Sequence, residues 1–128
     1  MRKFEFGKSY EEVEINGKPY KIDLSDDKLK EYQRKFQQFF NEAQDLQKAD
    51  VEKMSLEDQE ALLEKIRKIM KVITDSMLGE GTFDELFELA GRSTWNYMNL
   101  IYFLIETVNT KFEAVKEEKR KQYVKKGK

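Results

Sequence analysis

The chain has 128 residues, 24 of them Lys or Arg and 25 Asp or Glu, and it contains neither cysteine nor histidine. Without cysteine there are no disulfides, no thiol catalysis and no cysteine-based metal sites, and without histidine the commonest general base and metal ligand are missing. The formal net charge of −1 gives the chain as a whole no electrostatic footprint for nucleic acid. The composition therefore favours a non-enzymatic, protein-binding role.

The first part of the chain predicts a β-hairpin. Asn16-Gly17 supplies the positive backbone angles of a two-residue type I′ turn. Apolar and charged residues alternate on both sides of it, from residue 12 to residue 24, as in strands with one buried face. Phe4 and Phe6 alternate with charged residues in the same way, so we expect two or three short strands.

Two amphipathic helices are predicted next, because their apolar residues recur every three or four positions. The first begins near Asp26 with Ser25 as N-cap and ends around Lys48 to Asp50, and the second begins after the N-cap Ser55 and is stopped by Gly79-Glu80-Gly81. Their apolar stripes are Leu29, Tyr32, Phe36, Phe39, Phe40, Ala43 and Leu46 in the first helix, and Leu56, Leu62, Leu63, Ile66, Ile69, Met70, Ile73 and Met77 in the second.

A short third helix and a long fourth helix follow. Thr82 and Glu85 form a capping-box pattern at the start of the third, and Gly91 ends it. The fourth begins near Ser93, and its first half is apolar nearly all round, so we expect it to be the central, most buried helix, with Trp95 packed in the core. The apolar positions are Phe83, Leu86, Phe87 and Leu89 in the third helix, and Trp95, Met98, Ile101, Tyr102, Leu104, Ile105, Val108, Phe112 and Val115 in the fourth.

The predicted fold is therefore mainly α, an N-terminal β-hairpin followed by a four-helix bundle with a long C-terminal helix. We expect a single domain over residues 1–128, divided into a hairpin region (1–25), a helical core (26–110) and a charged helical tail (111–128). The tail has eight Lys or Arg against three Glu, and we interpret it as a solvated helix end that frays, with a protein-binding segment as the alternative.

The sequence offers no candidate catalytic, cofactor or metal site. Asp26-Asp27 and Glu117-Glu118 are adjacent carboxylates that point to different sides of a helix and are typical of solvated faces. The loop Gly79-Glu80-Gly81-Thr82 lacks the length and the lysine of a phosphate-binding loop. No apolar run is long enough to span a membrane. We therefore expect no cofactor, no metal and no membrane contact.

Partner binding is the more informative hypothesis. The first helix has more aromatic surface than a hairpin alone needs, and methionine side chains adapt to varied partners. The candidate partner-binding residues are Tyr32, Phe36, Phe39, Phe40, Met70, Met77, Phe83 and Phe87.

From Ile15 to Asp26 the sequence reads Ile-Asn-Gly-Lys-Pro-Tyr-Lys-Ile-Asp-Leu-Ser-Asp, then continues into an amphipathic helix and a charged helical C-terminus. This order resembles the tail assembly chaperones of long-tailed bacteriophages and prophages of Gram-positive bacteria, best over residues 10–46. The resemblance implies a non-enzymatic protein that binds the tape-measure protein during tail assembly, self-associates, acts in the bacterial cytoplasm and is absent from the mature virion. It also implies a longer form made by ribosomal frameshifting, for which Lys125-Lys126-Gly127 fits a slippery coding stretch.

Three other classes stay open. A small helical adaptor or regulator would bind a protein or, through the basic tail, nucleic acid, although the acidic third helix is unsuited to the major groove. A minor tail or connector component of the virion would use the hairpin to extend a neighbour's sheet. An enzyme is the least favoured class, because the usual catalytic side chains are missing.

Overall fold

The computed structural model describes the backbone of residues 1–126 and the side chains of residues 1–50, 52–111 and 113. The predicted fold is confirmed: a two-stranded antiparallel hairpin precedes four helices, the last of them long. The elements are β1 (Tyr10–Ile15), β2 (Lys18–Asp23), α1 (Asp26–Lys48), a 3-10 turn (Val51–Lys53), α2 (Leu56–Leu78), α3 (Thr82–Leu89) and α4 (Thr94–Lys126).

The expectations for the basic tail, and for Phe112 and Val115 in the apolar stripe of α4, fall on side chains outside the described residues. Those expectations are left as predictions.

The hairpin forms as its turn chemistry dictates. Asn16 and Gly17 have φ angles of 48° and 83°, the positive values that a type I′ turn requires, and Ile15 pairs with Lys18 across it. Val13 lies opposite Tyr20, and both are buried, whereas the intervening charged residues face solvent. The alternating pattern therefore places one face of the hairpin on the helices.

The possible third strand is absent. Residues 1–8 have no regular secondary structure, and Phe4 and Phe6 are 78% and 90% exposed. Their rings contact each other edge to face, with centroids 4.8 Å apart. Alternation specifies which residues share a face, but a strand also needs a neighbour to complete its hydrogen bonds, and this segment has none among the described residues.

The predicted N-cap of α1 is confirmed in position, whereas the capping box predicted for α3 is wrong. Ser25 is the N-cap of α1, but its side chain caps nothing, and its N–H donates to the Asp23 carboxylate instead. At α3 the N-cap is Gly81, and Thr82 lies inside the helix, so the capping box does not form. The carboxylate of Asp75, on α2, accepts the hydrogen bond of the Phe83 N–H at 3.0 Å. A side chain from another helix thus replaces the local cap.

The helix with neighbours on most sides is α2, not α4 as predicted, whereas the first half of α4 is deeply buried as expected. Helix α2 packs against α1, α3, α4 and β2, and among the described residues α1 and α4 approach each other less closely than either approaches α2. Residues from the hairpin and all four helices share one buried core, with Ile22, Phe39, Ile66, Met70, Ile101 and Leu104 fully buried. The predicted stripes hold in the middle of α2, but Leu56, at its start, is 82% exposed.

Candidate protein-binding surface

Most of the predicted partner-binding residues lie inside the chain. Phe40 is exposed and Phe87 is half-buried, with its ring 5.3 Å from that of Phe83. The other six fill the core and, in this conformation, offer a partner almost no surface. These buried residues are Tyr32, Phe36, Phe39, Met70, Met77 and Phe83.

Two buried tyrosines place their hydroxyl groups in the core, one with a hydrogen-bond partner and one without a partner among the described residues. The Tyr97 hydroxyl is 2.7 Å from the Thr74 hydroxyl and joins α4 to α2. The Tyr32 hydroxyl has no hydrogen-bond partner among the described residues. Burial raises the pKa of both phenols to about 12, assisted at Tyr32 by the negative charges of Asp23 and Glu31 and opposed at Tyr97 by the bond from Thr74. Neither group is placed to titrate in a binding role near neutral pH.

Apart from Phe4 and Phe6, the exposed aromatic residues lie on α4 and on α1. Trp95 is 57% exposed, Tyr102 39% and Phe40 42%. Trp95 was expected in the core, and its exposure contradicts that expectation. We call Phe40, Trp95 and Tyr102 the aromatic surface.

The aromatic surface is anchored by the buried ring of Phe39. Its centroid is 5.4 Å from that of Tyr102, which it meets edge to face, and 6.0 Å from that of Phe40. Trp95 precedes Tyr102 by seven residues, two helical turns or about 10 Å along the same face of α4. The rings of Tyr102 and Phe40 thus rest on a buried base, and Trp95 continues the same face of α4.

The start of α4 is held firmly, which explains why Trp95 points outward. Ser93, near which the helix was predicted to begin, caps it by accepting the Asn96 N–H at 3.1 Å. The buried Thr94 hydroxyl accepts a hydrogen bond from Arg67 of α2 at 3.2 Å. With Thr94, Tyr97 and Met98 turned towards the core, the helical period places Trp95 about 100° from Thr94, on the flank of the buried face.

A second feature is a groove of about 410 Å³ between β1 and α4. Three consecutive strand residues, Glu11, Glu12 and Val13, line one wall, and Phe103 and Glu106 lie on the other. An ion pair of 3.7 Å between Lys111 and Glu11 closes one end. We call this the acidic groove, because three glutamates and one lysine give its charged lining a net charge of −2.

The sequence could have indicated both features. In α4 the run from Leu100 to Ile105 is apolar on every face, and a helix at the edge of a small bundle must expose one of them. Phe103 and Glu106 carried no signal of their own, because their importance comes from the strand that lies opposite.

The described residues offer little for other chemistry. Within them, no group of three or more acidic side chains is arranged to hold a metal ion. None of the helices, over the same residues, is long and apolar enough to cross a membrane.

No protein family, curated protein or solved structure matches this chain.

Proposed function

We propose that this protein is a non-enzymatic binding protein whose aromatic surface takes up apolar helical segments of a client, and that it acts as a phage tail assembly chaperone. The observation that carries the proposal is the exposure of Phe40, Trp95 and Tyr102 on a firmly held helix pair. Soluble monomers rarely leave large aromatic side chains grouped in this way unless a partner covers them. The resemblance of residues 10–46 to tail assembly chaperones names the client, the tape-measure protein.

The physical mechanism is burial of apolar surface. At 57% exposure, Trp95 offers roughly 140 Å² of surface, whose full burial is worth about 3 kcal/mol at most. Tyr102 and Phe40 add smaller areas beside it. An amphipathic client helix would lay its apolar face on these rings, while the charged remainder of the chaperone keeps the complex in solution. The protein would act in the cytoplasm of the bacterial host and be left out of the mature virion.

The test is binding of a tape-measure fragment, encoded by the same genome, to the purified protein by titration calorimetry. The double variant Trp95→Gln/Phe40→Gln is expected to weaken binding about 30-fold, because loss of the two exposed aromatic side chains together costs about 2 kcal/mol. Leu56→Gln is the matched control, since Leu56 is equally apolar and 82% exposed but lies outside the aromatic surface.

Unchanged affinity in the double variant, or an equal loss in the Leu56 control, would overturn the proposal. Finding the protein in purified virions would favour a minor structural component over a chaperone.

A further inference from the structure

The segment that precedes the hairpin is a second unusual feature, separate from the aromatic surface. Residues 2–8, which we call the N-terminal arm, carry Phe4 and Phe6 almost fully exposed. Arg2, Lys3 and Lys8 against Glu5 give the arm a net charge of +2. Exposed aromatic rings are unfavourable in water, and together with the basic charge they suit an acidic, partly apolar site.

The acidic groove has the complementary character. Glu11, Glu12 and Glu106 surround the apolar side chains of Val13 and Phe103. Phe103 is 42% exposed and has room for another ring beside it. Opposite charges at the rim with an aromatic contact inside are the pattern of a specific peptide site.

The wall formed by β1 adds a backbone argument. Successive side chains of a strand point to opposite faces, so three consecutive residues can line one groove only along the strand's edge. In the described part of the chain β1 pairs with β2 alone, which leaves the other edge of β1 with unpaired N–H and C=O groups. An extended segment can add to such an edge as a further strand.

The lengths agree. The groove follows α4 from Phe103 to Lys111, eight residues or about 12 Å of helix. Five extended residues of the arm, from Lys3 to Gly7, span about 13 Å.

The arm is badly placed to fill the groove of its own chain. The Leu24 N–H donates to the Ser9 carbonyl at 2.8 Å, so the hairpin ladder already fixes the chain at Ser9. To run back along its own β1, the arm would have to reverse direction within Gly7 and Lys8. A second copy meets no such constraint.

We propose that the N-terminal arm of a second copy of this chain lies in the acidic groove, extended along the free edge of β1. Phe4 or Phe6 then packs against Phe103 and Val13, and the basic side chains of the arm face the glutamates. Because each copy has one arm and one groove, two copies can exchange arms in a closed dimer. This inference does not depend on the identity of any client.

Charge reversal tests the proposal. The arm variant Arg2→Glu/Lys3→Glu and the groove variant Glu12→Lys/Glu106→Lys change exposed residues and are expected to keep the fold, which circular dichroism checks. Each alone should raise the dissociation constant of the dimer at least about tenfold, measured by sedimentation velocity at about 0.1 M salt, where the Debye length is near 10 Å. An equimolar mixture of the two variants should restore the dimer, because both arm–groove pairs are then of opposite charge.

A second pair of variants tests the apolar contact. Phe6→Ser should weaken the dimer, and Leu56→Ser, which removes an equally exposed side chain far along the sequence, should not. The proposal would be overturned if the wild-type protein stayed monomeric at every concentration examined by sedimentation velocity. It would also be overturned if the charge-reversal variants still dimerised. Two monomeric variants whose mixture stays monomeric would overturn it as well, since restoring opposite charges in both arm–groove pairs would then have failed to restore the dimer.

Discussion

Replacing each of the two buried tyrosines by phenylalanine is expected to change the free energy of unfolding in opposite directions. Tyr32 and Tyr97 are each 1% exposed, and both lie on helices. The Tyr97 hydroxyl is bonded to Thr74, whereas that of Tyr32 has no partner among the described residues. Replacing each by Phe removes one oxygen and leaves the ring packing in place, so the comparison isolates the hydrogen bond.

The expected free-energy changes follow from the cost of a buried polar group. An unpaired buried hydroxyl destabilises the folded state by about 1 kcal/mol or more, so Tyr32→Phe should raise the free energy of unfolding by about 1 kcal/mol. Tyr97→Phe should lower it by about 1 kcal/mol, because the Thr74 hydroxyl loses its partner and can turn only to its own helix. The two variants should therefore differ by about 2 kcal/mol.

The assay is equilibrium urea unfolding followed by circular dichroism, with one common slope fitted to all variants, at a protein concentration below self-association. Trp95 fluorescence is a poor probe because the indole is already exposed. A loss of 1 kcal/mol or more in Tyr32→Phe would mean that the hydroxyl is bonded in solution, and would refute the reasoning from its burial.

Two further predictions concern contacts between helices. Glu31 accepts hydrogen bonds from Lys35 and from Ser76 of α2, which lower its pKa from 4.5 to about 2. Because its folded pKa is depressed, its stabilisation is present above pH 4.5 and lost as the pH falls to 2. The Glu31 side chain is 37% exposed, so solvent screens its interactions and the expected effect is small. In urea titrations, Glu31→Gln should lower the free energy of unfolding by about 0.5 kcal/mol at pH 7 and leave it unchanged near pH 2. Asp75→Ala removes the cap of α3 at Phe83 and should cost about 1 kcal/mol by the same assay; no loss would mean that the cap is dispensable.

The parts of the fold that the sequence predicted are those decided locally. The hairpin depends on Asn16-Gly17 and on strict alternation beside it, and both act over a few residues. The ends of α1 and α2 likewise follow from the spacing of apolar residues and from the Ser55 side chain, which accepts the Asp58 N–H at 3.1 Å. Such features depend little on the packing of distant residues.

The predictions of the fold were wrong where residues distant in the sequence determine the structure. The cap of α3 comes from Asp75, eight residues before Phe83, and no local pattern contains it. Which helix is central depends on which of them the others surround. An all-round apolar run such as the first half of α4 suits both a central helix and one with an exposed binding face, and only the packing on α2 separates the two. For the same reason the sequence missed Trp95 and Tyr102 as exposed residues.

The two proposed interactions lie on different sides of α4, and this makes them separable. Tyr102 belongs to the aromatic surface and Phe103 to the acidic groove, and successive residues of a helix point about 100° apart. Trp95→Gln should therefore weaken client binding about tenfold and leave the dimer unchanged, because one exposed anchor is lost. Phe103→Ser should weaken the dimer and leave client binding unchanged. Titration calorimetry and sedimentation velocity on both variants check the pair, and a variant that impairs both interactions would show that the client and the second copy compete for one surface.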